Sequence, residues 1–571
     1  MTCREKILSE DYWELLLDYE PLAGSGQREG ADYCITPVGD GIGIVYYRML
    51  AGDMPQMNSL PYYEIPKCYG LMQQEIGAGV GFDTFALADA GILQVQEPPL
   101  SLTGRGVVMA FLDTGIRYTQ EAFLDAYGES RILSIWDQTL SEGEAPEDFL
   151  YGTEYTREQI NEALRAESPR MLVKSWDESG HGTAMASAAA GSRIDGGRTF
   201  TGAAPDAQLV VVKLRQAKQY LRDYYLLPEG ADAYSETDIM MAVRYAERYA
   251  VALQRPLILC LGIGTSYGSH TGTSLLDRYL NAVTGRRSRA AVICGGNEGA
   301  SGHHVQGLST QGRTQMAELR VGDGGRGFLM EVWSEAPSRF SLTVRTPGGE
   351  LISGIDGRSV RVQEYRFVFD KTLLTVRGTP VEESSGMRLL LLRFEKPTPG
   401  VWTLTIDVEA LLQNGIRYHI WLPIDTFLGS DTYFLRPEPD TTLTEPSMAS
   451  GAISITAYDD ESGGFYEKSG RGFTADRRAK PEFAAPGVEI PTSLGRRTGS
   501  SLAAALAAGA AAQMMQWAVV EGNYPLATGR ELKYYLALGA VRESGTSYPS
   551  REWGLGKINV QRTFQELAGL F

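Results

Sequence analysis

The chain has 571 residues, and 43% of them are apolar, which is enough to bury the core of one large domain and of smaller units beside it. Its formal net charge at pH 7 is −17. Nucleic-acid binding needs a concentrated basic surface, so this composition argues against a nucleic-acid partner.

The amino terminus and the cysteines bear on the cellular compartment. Acidic residues between Met1 and Asp11 lie where a secretory signal would have its apolar core. No stretch reaches the roughly 18 consecutive apolar residues of a membrane span. The five cysteines are odd in number and irregularly spaced, unlike a disulfide framework. We therefore expect no signal peptide, no membrane segment and a reducing compartment such as the cytoplasm.

Residues 1–96 precede the first segment that carries recognisable chemistry. They contain a predicted helix from Glu10 to Tyr19, a strand from Gly43 to Arg48 and an extended segment from Leu93 to Pro99. The prolines support the last of these, because the residue before a proline favours extended backbone. The pattern predicts a separate N-terminal α+β unit.

The next element is a strand that ends in an aspartate. The run from Val107 to Leu112 is short and continuously apolar, and Asp113 and Gly115 follow it. Such a run is typical of a buried parallel strand, and catalytic groups collect at the carboxyl ends of those strands. The alternative is a turn aspartate that only caps the next segment.

A histidine between two glycines follows. His181 lies between Gly180 and Gly182, and the small residues from Ala184 to Ala190 predict a closely packed helix. An imidazole at a helix start, held in one tautomer by a carboxylate, suits a general base. A core histidine with its hydrogen bonds satisfied is the alternative.

Two further apolar runs are predicted strands that end in glycines. Leu257–Leu261 is followed by Gly262, whereas 290–294 is followed by Gly295, Gly296 and Asn297. An asparagine after a strand can also adopt a left-handed turn, which is the structural alternative for Asn297.

Residues 303–440 alternate with the period of β-strands. Turn signals from Thr346 to Gly349 and from Pro397 to Gly400 separate the runs. The predicted strands are Phe328–Trp333, Arg339–Arg345, Tyr365–Phe369 and Val401–Ile406. The pattern predicts an inserted all-β sandwich, a jelly roll.

The last informative element is a helix that begins with two serines. Gly499 precedes Ser500 and Ser501, and the residues up to Ala510 carry so few large side chains that the helix must be packed closely. A hydroxyl at the amino end of a helix lies beside free N–H groups and the positive end of the dipole, which favour developing negative charge. An ordinary serine N-cap is the alternative.

The order aspartate, histidine, serine is that of subtilisin, and the three segments together resemble the subtilase family. Residues 499–503 match the family's Gly-Thr-Ser-x-Ala with serine in place of threonine, which puts Ser501 rather than Ser500 at the nucleophile. The resemblance implies a serine endopeptidase with an α/β fold, in which helices sandwich a parallel sheet. It makes Asp113, His181 and Ser501 the catalytic triad.

The resemblance also implies the remaining site residues. Asn297 would donate to the oxyanion. Substrate binding would fall to Leu261, Gly262, Gly295 and Gly296. The chemistry needs no metal or organic cofactor, and we find no Asp/Asn-rich loop with convincing calcium-ligand spacing.

The domain arrangement narrows the resemblance to the Csp subtilases of spore-forming anaerobes. It implies a pro-domain over residues 1–96, a catalytic domain over 97–302 and 441–571, and the jelly roll over 303–440. The pro-domain would be cleaved between Gln96 and Glu97 and stay in the active-site cleft as a partner. The substrates would be few, such as a spore cortex hydrolase precursor, in the cytoplasm or on the spore.

Two alternatives stay open. The first is a broader bacterial subtilase with no role in germination. The second is a sensor or binding protein whose triad is occluded by the retained pro-domain.

Overall fold

The N-terminal unit is a four-stranded antiparallel sheet with one helix. The structure of the chain is a computed structural model that describes residues 1–18, 27–49, 60–77, 84–194, 200–309, 314–337, 339–356, 362–410 and 415–569. The elements of the unit are α1 (Cys3–Leu8), β1 (Tyr12–Asp18), β2 (Arg28–Glu29), β3 (Tyr33–Gly39) and β4 (Ile42–Arg48). The strand order is β1-β4-β3-β2.

The predicted helix from Glu10 to Tyr19 is wrong over the residues described, and Tyr19 lies outside them. The segment instead forms β1, which pairs with β4 from Tyr12 opposite Arg48 to Asp18 opposite Ile42. Its apolar run suits a buried helix or a buried strand, and the neighbouring strand decides between them. The predicted strand from Gly43 to Arg48 is confirmed as β4.

Between the N-terminal unit and the main sheet of the large domain, the chain forms short strands and helices. Two short strands, β5 (Cys68–Leu71) and β6 (Glu75–Ile76), are followed by helices α2 (Phe85–Asp89) and α3 (Ile92–Gln96). Leu87, Ile92 and Val95 are buried in the core of the large domain. Residues 85–96 therefore pack with that domain, which moves the boundary predicted at residue 96 upstream.

The first part of the large domain alternates strands and helices. Its strands are β7 (Val108–Asp113), β8 (Ile132–Asp137), β9 (Thr153–Thr156), β10 (Gln208–Lys213), β11 (Tyr234–Ser235), β12 (Leu257–Leu261), β13 (Ile263–Gly264) and β14 (Arg289–Cys294). Its helices are α4 (Arg157–Arg165), α5 (Pro169–Leu172), α6 (His181–Ala190), α7 (Gln219–Tyr224), α8 (Glu236–Ala252) and α9 (Leu275–Thr284).

A β insert, which we define as residues 303–440, interrupts the large domain. Its strands are β15 (His304–Ser309), β16 (Gln315–Val321), β17 (Gly327–Ser334), β18 (Arg339–Arg345), β19 (Leu351–Ile355), β20 (Gln363–Arg366), β21 (Leu373–Thr379), β22 (Arg388–Glu395), β23 (Gly400–Ala410), β24 (Ile416–Trp421) and β25 (Tyr433–Phe434). They form a six-stranded and a five-stranded sheet that share an apolar core. The predicted strands Phe328–Trp333, Arg339–Arg345 and Val401–Ile406 are confirmed, whereas Tyr365–Phe369 is a strand only as far as Arg366, where β20 ends.

The chain returns to the large domain for its last elements. These are β26 (Ile453–Tyr458), β27 (Phe483–Pro486), β28 (Ile490–Thr492), β29 (Gly495–Thr498), α10 (Ser500–Met515), α11 (Gly529–Gly539) and α12 (Val560–Leu567).

One eight-stranded sheet organises the large domain, in the order β27-β26-β14-β12-β7-β10-β8-β9. All neighbours are parallel except β8 and β9, which are antiparallel. Successive residues of β7 face opposite cores: Met109 and Phe111 meet α6 and α10 on one side, whereas Ala110 and Leu112 meet α8 and the N-terminal sheet on the other. The sheet is thus covered on both faces, as expected for parallel strands.

Helix α10 is buried along its whole length. A side chain at Gly509 would place its Cβ 2.3 Å from the Cβ of Ala203, so the small residues allow a close approach. The segment from Ser500 to Val520 is long and apolar enough to cross a membrane, but 83% of its most apolar part is buried inside the protein. Packing against the sheet therefore accounts for its composition.

The cysteines differ from the sequence-based expectation. Cys3 of α1 and Cys34 of β3 form a disulfide, with Cα atoms 5.5 Å apart. Cys68, Cys260 and Cys294 are free and buried. The expectation of no disulfide is therefore wrong for one pair, because the sheet brings together two cysteines whose spacing gives no recognisable pattern.

Candidate active site

Asp113 and His181 form a buried pair at the carboxyl edge of the sheet. Asp113 ends β7, and its Oδ1 and Oδ2 lie 2.8 and 2.9 Å from Nδ1 of His181, the first residue of α6. A Cβ on Gly182 would lie 2.4 Å from the carbonyl oxygen of Gly115, so only glycine lets the helix start come this close to the strand end. The two residues predicted as base and orienting acid are in contact.

The ionisation of His181 reflects this pairing. Burial alone lowers the pKa of the imidazole, but the Asp113 carboxylate outweighs it and raises the pKa above its usual value of 6.5. The Met72 carbonyl oxygen, 3.1 Å from Nε2, acts in the same direction. An imidazolium can donate from Nδ1 to the Asp113 carboxylate and from Nε2 to the Met72 carbonyl oxygen, so this arrangement favours the protonated form.

Asp177 fixes the helix start and was missed by the sequence reasoning. Its Oδ1 accepts hydrogen bonds from Gly180 N and Thr114 Oγ1, both at 2.8 Å, and its Oδ2 accepts from Thr183 N at 2.9 Å. Thr114 Oγ1 in turn accepts from Gly182 N at 3.0 Å. One carboxylate therefore ties the loop before His181 to the residue after Asp113. Its only sequence signal is an acid shortly before the histidine.

Ser501 lies in the first turn of α10, two residues after Gly499. Its Oγ accepts a hydrogen bond from the side-chain amide of Gln74 at 3.2 Å. The neighbouring Ser500 donates its backbone N–H to Asn297 Oδ1 at 3.1 Å. The helix start thus places the Ser501 hydroxyl beside Gln74 and uses the Ser500 N–H to hold the Asn297 side chain.

Asn297, which lies three residues after the end of β14, completes the site. Its Nδ2 donates to the carbonyl oxygen of Gln73 at 2.9 Å, while its Oδ1 is held by Ser500 N. A Cβ built on Gly499 would be 3.1 Å from that carbonyl oxygen, 3.6 Å from Ser501 Oγ and 3.7 Å from Asn297 Nδ2. Glycine at 499 therefore leaves the space in which a peptide carbonyl meets the hydroxyl and the amide.

That carbonyl belongs to a segment of the chain itself. Strand β5 pairs antiparallel with β11 through Cys68 and Tyr69 and with β13 through Gly70 and Leu71. Met72 N continues the pairing by donating to Gly262 O at 3.0 Å. Beyond Gln74, β6 pairs with β29. Main-chain pairing on both sides thus holds the Gln73–Gln74 peptide bond beside Ser501.

The four residues predicted to bind substrate have different roles. Gly262 contacts the segment directly, and a Cβ there would lie 2.2 Å from Met185 Sδ and 2.9 Å from His181 Cε1. Leu261 is fully buried, in the core that also holds Tyr69 and Leu71 of the segment. Gly295 bonds to Ile455 and Thr444, and Gly296 to Gly470. These two glycines shape the turn that presents Asn297.

The prediction of processing between Gln96 and Glu97 needs correction. Gln96 ends α3 and is only 5% exposed, and its side-chain amide donates to the carbonyls of Gly202 and Ala203 at 3.2 and 3.0 Å. Glu97 pairs instead with Arg193. The segment from Leu93 to Gln96 is helical because its apolar residues pack into the core, so it cannot lie extended in the cleft. At the cleavage position, the residues missed by the sequence reasoning are Gln73 and Gln74.

The described part of the chain holds no group of three or more His, Cys, Asp or Glu side chains arranged to bind a metal ion. The groups gathered around residues 72–74 are a hydroxyl, an imidazole with its carboxylate, and an amide. This set suits acyl transfer, with attack on a carbonyl and stabilisation of the resulting oxyanion.

Comparison with known proteins agrees with this chemistry. The model of the subtilase family of peptidases matches residues 104–323 and 432–556, more than half of the chain. The solved structure of the CspB protease of Clostridium perfringens is 29% identical, covers 86% of this chain and 98% of its own, and superposes with a TM-score of 0.75.

Two further relatives are more distant. Subtilisin-like protease SBT3.5 of Arabidopsis thaliana is 26% identical over 223 residues, 35% of this chain. The matched part spans only about a quarter of the plant protein, 26% of its length. The structure of MycP1 without its N-terminal propeptide is 14% identical over 84% of this chain, with a TM-score of 0.37.

Proposed function

Because the chain belongs to the subtilase family, we propose that it is a serine endopeptidase whose first substrate is its own Gln73–Gln74 peptide bond. One observation carries this proposal: the Asn297 amide donates to the Gln73 carbonyl oxygen at 2.9 Å, with Ser501 beside it. An amide donor on a main-chain carbonyl next to a helix-start serine is what the oxyanion of a tetrahedral intermediate requires.

The proposed mechanism uses each group in turn. Neutral His181 removes the proton of Ser501 Oγ as the hydroxyl attacks the Gln73 carbonyl carbon. Asn297 stabilises the oxyanion, and Asp113 stabilises the imidazolium that forms. The imidazolium then protonates the amine of Gln74, which leaves, and water releases the acyl group from Ser501. The base form of His181 is required, and Asp113 and the Met72 carbonyl outweigh burial and raise the pKa above 6.5, so the charged form persists to higher pH than for a free histidine.

We propose further that residues 1–73 are a pro-domain that stays bound after cleavage. Support comes from its sheet, which shares a buried core with α8 of the large domain. The β insert is proposed to be a jelly roll on the strength of its two sheets.

The substrate range follows from the resemblance to Csp proteases. We propose a limited set of protein substrates, such as a spore cortex hydrolase precursor, rather than broad digestion. The similarity to the CspB protease over most of both chains supports this choice over a broader subtilase.

A serine-directed fluorophosphonate tests the nucleophile, and mass spectrometry of the fragments tests the cleavage site. The purified chain should yield a new N-terminus at Gln74 and should be labelled. Ser501→Ala should lose both the cleavage and the label. Labelling that persists in Ser501→Ala would contradict the nucleophile, and a new terminus at Glu97 would contradict the site. An intact, unlabelled wild-type chain would favour the occluded sensor.

A further inference from the structure

A lysine just before β5, six residues upstream of Gln73, is buried in a pocket of acidic side chains. Lys67 is 4% exposed, and its Nζ lies 3.7 Å from Glu236 Oε2. Buried lysines are rare without an anionic partner. The acidic pocket, as we call it, is formed by Glu236, Asp277, Glu331 and Glu445.

The four acids come from separate elements. Glu236 begins α8 and Asp277 lies in the first turn of α9, whereas Glu331 lies in β17 of the β insert. Glu236, Asp277 and Glu445 are fully buried, and Glu331 is nearly so. All four lie downstream of the Gln73–Gln74 bond. The pocket therefore belongs to the enzyme part of the chain, and Lys67 belongs to the part that would be cut away.

Hydrogen bonds of the Lys67 main chain to Glu236 also hold this residue at the pocket. Lys67 N donates to Glu236 Oε2 at 2.9 Å, and Glu236 N donates to Lys67 O at 3.0 Å. Gly268 packs against both groups, since a Cβ there would lie at contact distance, 3.4 Å from Glu445 Cγ and 3.5 Å from Lys67 Cε. The extended path of β5 continues upstream to this point.

The pocket is electrostatically matched to an ammonium group. Burial alone lowers the pKa of Lys67, but Glu236 and then Glu445 raise it above its usual value. Burial raises the pKa of Glu445 well above its usual range and the adjacent Asp277 adds to this, whereas Lys67 acts in the opposite direction. Removal of the lysine would leave buried carboxylates without their cation, which is strongly unfavourable.

The β insert joins the same recognition surface. Glu331 accepts hydrogen bonds from Gly268 N at 2.9 Å, from Trp333 Nε1 at 2.8 Å and from the hydroxyl of Tyr62 at 2.7 Å. Tyr62 precedes Lys67 on the same segment, and Lys67 Nζ lies 5.6 Å from its ring centroid. The insert thus contacts the bound segment far from the scissile bond.

We propose that the acidic pocket is a distal substrate subsite that selects a lysine side chain at the position of Lys67, upstream of the cleaved bond. The inference rests on the proposed function, because it assumes that other protein substrates follow the path of residues 62–73. It gives the β insert a role in specificity. Such substrates would carry a tyrosine and a lysine in the spacing of Tyr62 and Lys67 before the cleaved glutamine.

The test uses the full-length enzyme and a separate substrate. Residues 60–77 are placed as a linker between two folded reporter proteins, in three versions: unchanged, Lys67→Met and Glu64→Gln. Glu64 is the matched control, because it lies on the same segment outside the pocket. The substitution is in the linker, so the folding of the enzyme is unaffected.

We expect the Lys67→Met linker to be cut with a kcat/KM about 100-fold lower, because an analogue that leaves buried polar groups unpaired is strongly rejected. The Glu64→Gln linker should match the unchanged one. Equal cleavage of the unchanged and Lys67→Met linkers would overturn the proposal. If the retained pro-domain excludes even the unchanged linker, the same three versions are compared for self-cleavage within the full chain, with the same expected and contradicting results.

A variant of the pocket provides the complementary measurement. Glu236→Gln keeps an oxygen for the Lys67 N–H but removes the charge nearest to Nζ. The preference for the unchanged over the Lys67→Met substrate should shrink at least tenfold in this enzyme. A preference that stays undiminished would overturn the proposal. Fluorophosphonate labelling separates the two levels: an unlabelled enzyme contradicts the proposed function, whereas a labelled enzyme with no lysine preference contradicts the subsite alone.

Discussion

Residues 1–73, the proposed pro-domain, meet the rest of the chain in two regions held by different forces. In the cleft, the main chain of Met72 and Gln73 is hydrogen-bonded to the Gly262 carbonyl and to the side chains of His181 and Asn297. On the face of the sheet, the buried carboxylate of Glu14 in β1 lies 2.5 Å from Arg215 Nη2 and 3.4 Å from Lys218 Nζ.

The charged region is a closed network. Thr237 donates to Glu14 Oε2 at 2.9 Å, and Arg215 Nε also binds Asp238 at 2.6 Å. Burial alone raises the pKa of Glu14, but Arg215 and then Lys218 outweigh it, so the pKa is lowered and the group stays ionised. Cleavage after Gln73 changes the cleft region and leaves this network intact. Cleavage chemistry and retention of the cleaved fragment are therefore separable.

The largest effect is expected for retention, from Glu14→Gln. Loss of one charge from a buried ion pair costs about 3–5 kcal/mol, which corresponds to a weakening of pro-domain binding by about 10²–10³-fold or more. Co-elution of the cleaved fragment in size-exclusion chromatography measures it. Cleavage itself should persist, because the contacts of Gln73 are unchanged.

The matched control for that change is Glu10→Gln. Glu10 accepts from Gln219 N at 2.9 Å across the same interface, but the contact is exposed, so its loss should weaken binding by no more than about 1 kcal/mol. Equal retention of the fragment by both variants would show that the buried network does not hold it.

The next effect concerns chemistry, from Asn297→Ala. Loss of the donor to the Gln73 carbonyl should slow self-cleavage by about 10²–10³-fold. The rate is followed by the appearance of the Gln74 terminus, and binding of the fragment should not change. A rate within a few fold of wild type would remove Asn297 from the oxyanion site.

The pH dependence should also belong to the cleft alone. The base form of His181 is needed, and its pKa lies above 6.5 because Asp113 outweighs the effect of burial. The protonated form therefore persists to higher pH than for a free histidine, and self-cleavage should slow about tenfold per pH unit below that pKa.

The pKa can be measured by NMR of His181 in the Ser501→Ala chain, which keeps the segment uncut. Asp113→Asn in that background should lower it, because the carboxylate that raises it is gone. An unchanged pKa would mean that Asp113 does not control the base. Glu14→Gln is the control and should leave the pKa where it was.

The sequence predicted the parts of the site that local patterns carry. Asp113 ends an apolar strand, His181 lies between glycines at a helix start, and Ser501 begins a helix of small residues. The structure pairs Asp113 with His181 and places both His181 and Ser501 on residues 72–74, with His181 Nε2 at the Met72 carbonyl and Ser501 Oγ at the Gln74 side-chain amide. The β insert was predicted for the same reason, since its alternation is local.

The missed parts depend on distant pairing. Gln73 is at the site only because β5 lies between β11 and β13, strands far along the chain, and no local pattern encodes that register. The proline after Glu97 suggested an extended cleavage segment, yet Ile92 and Val95 pack as a helix into the core. Packing overrode the local signal there, as the pairing with β4 did in β1.

The smallest effect is expected for Ser500→Ala, which tests the assignment of the nucleophile. Ser500 contributes its backbone N–H to Asn297 at 3.1 Å, and alanine keeps that group. The change should alter stability by no more than about 1 kcal/mol and should leave self-cleavage and fluorophosphonate labelling in place. Both serines begin the same buried helix. Comparing Ser500→Ala with Ser501→Ala therefore distinguishes the loss of the nucleophilic hydroxyl from the loss of any hydroxyl at this helix start. Loss of labelling in Ser500→Ala with labelling retained in Ser501→Ala would reverse the assignment.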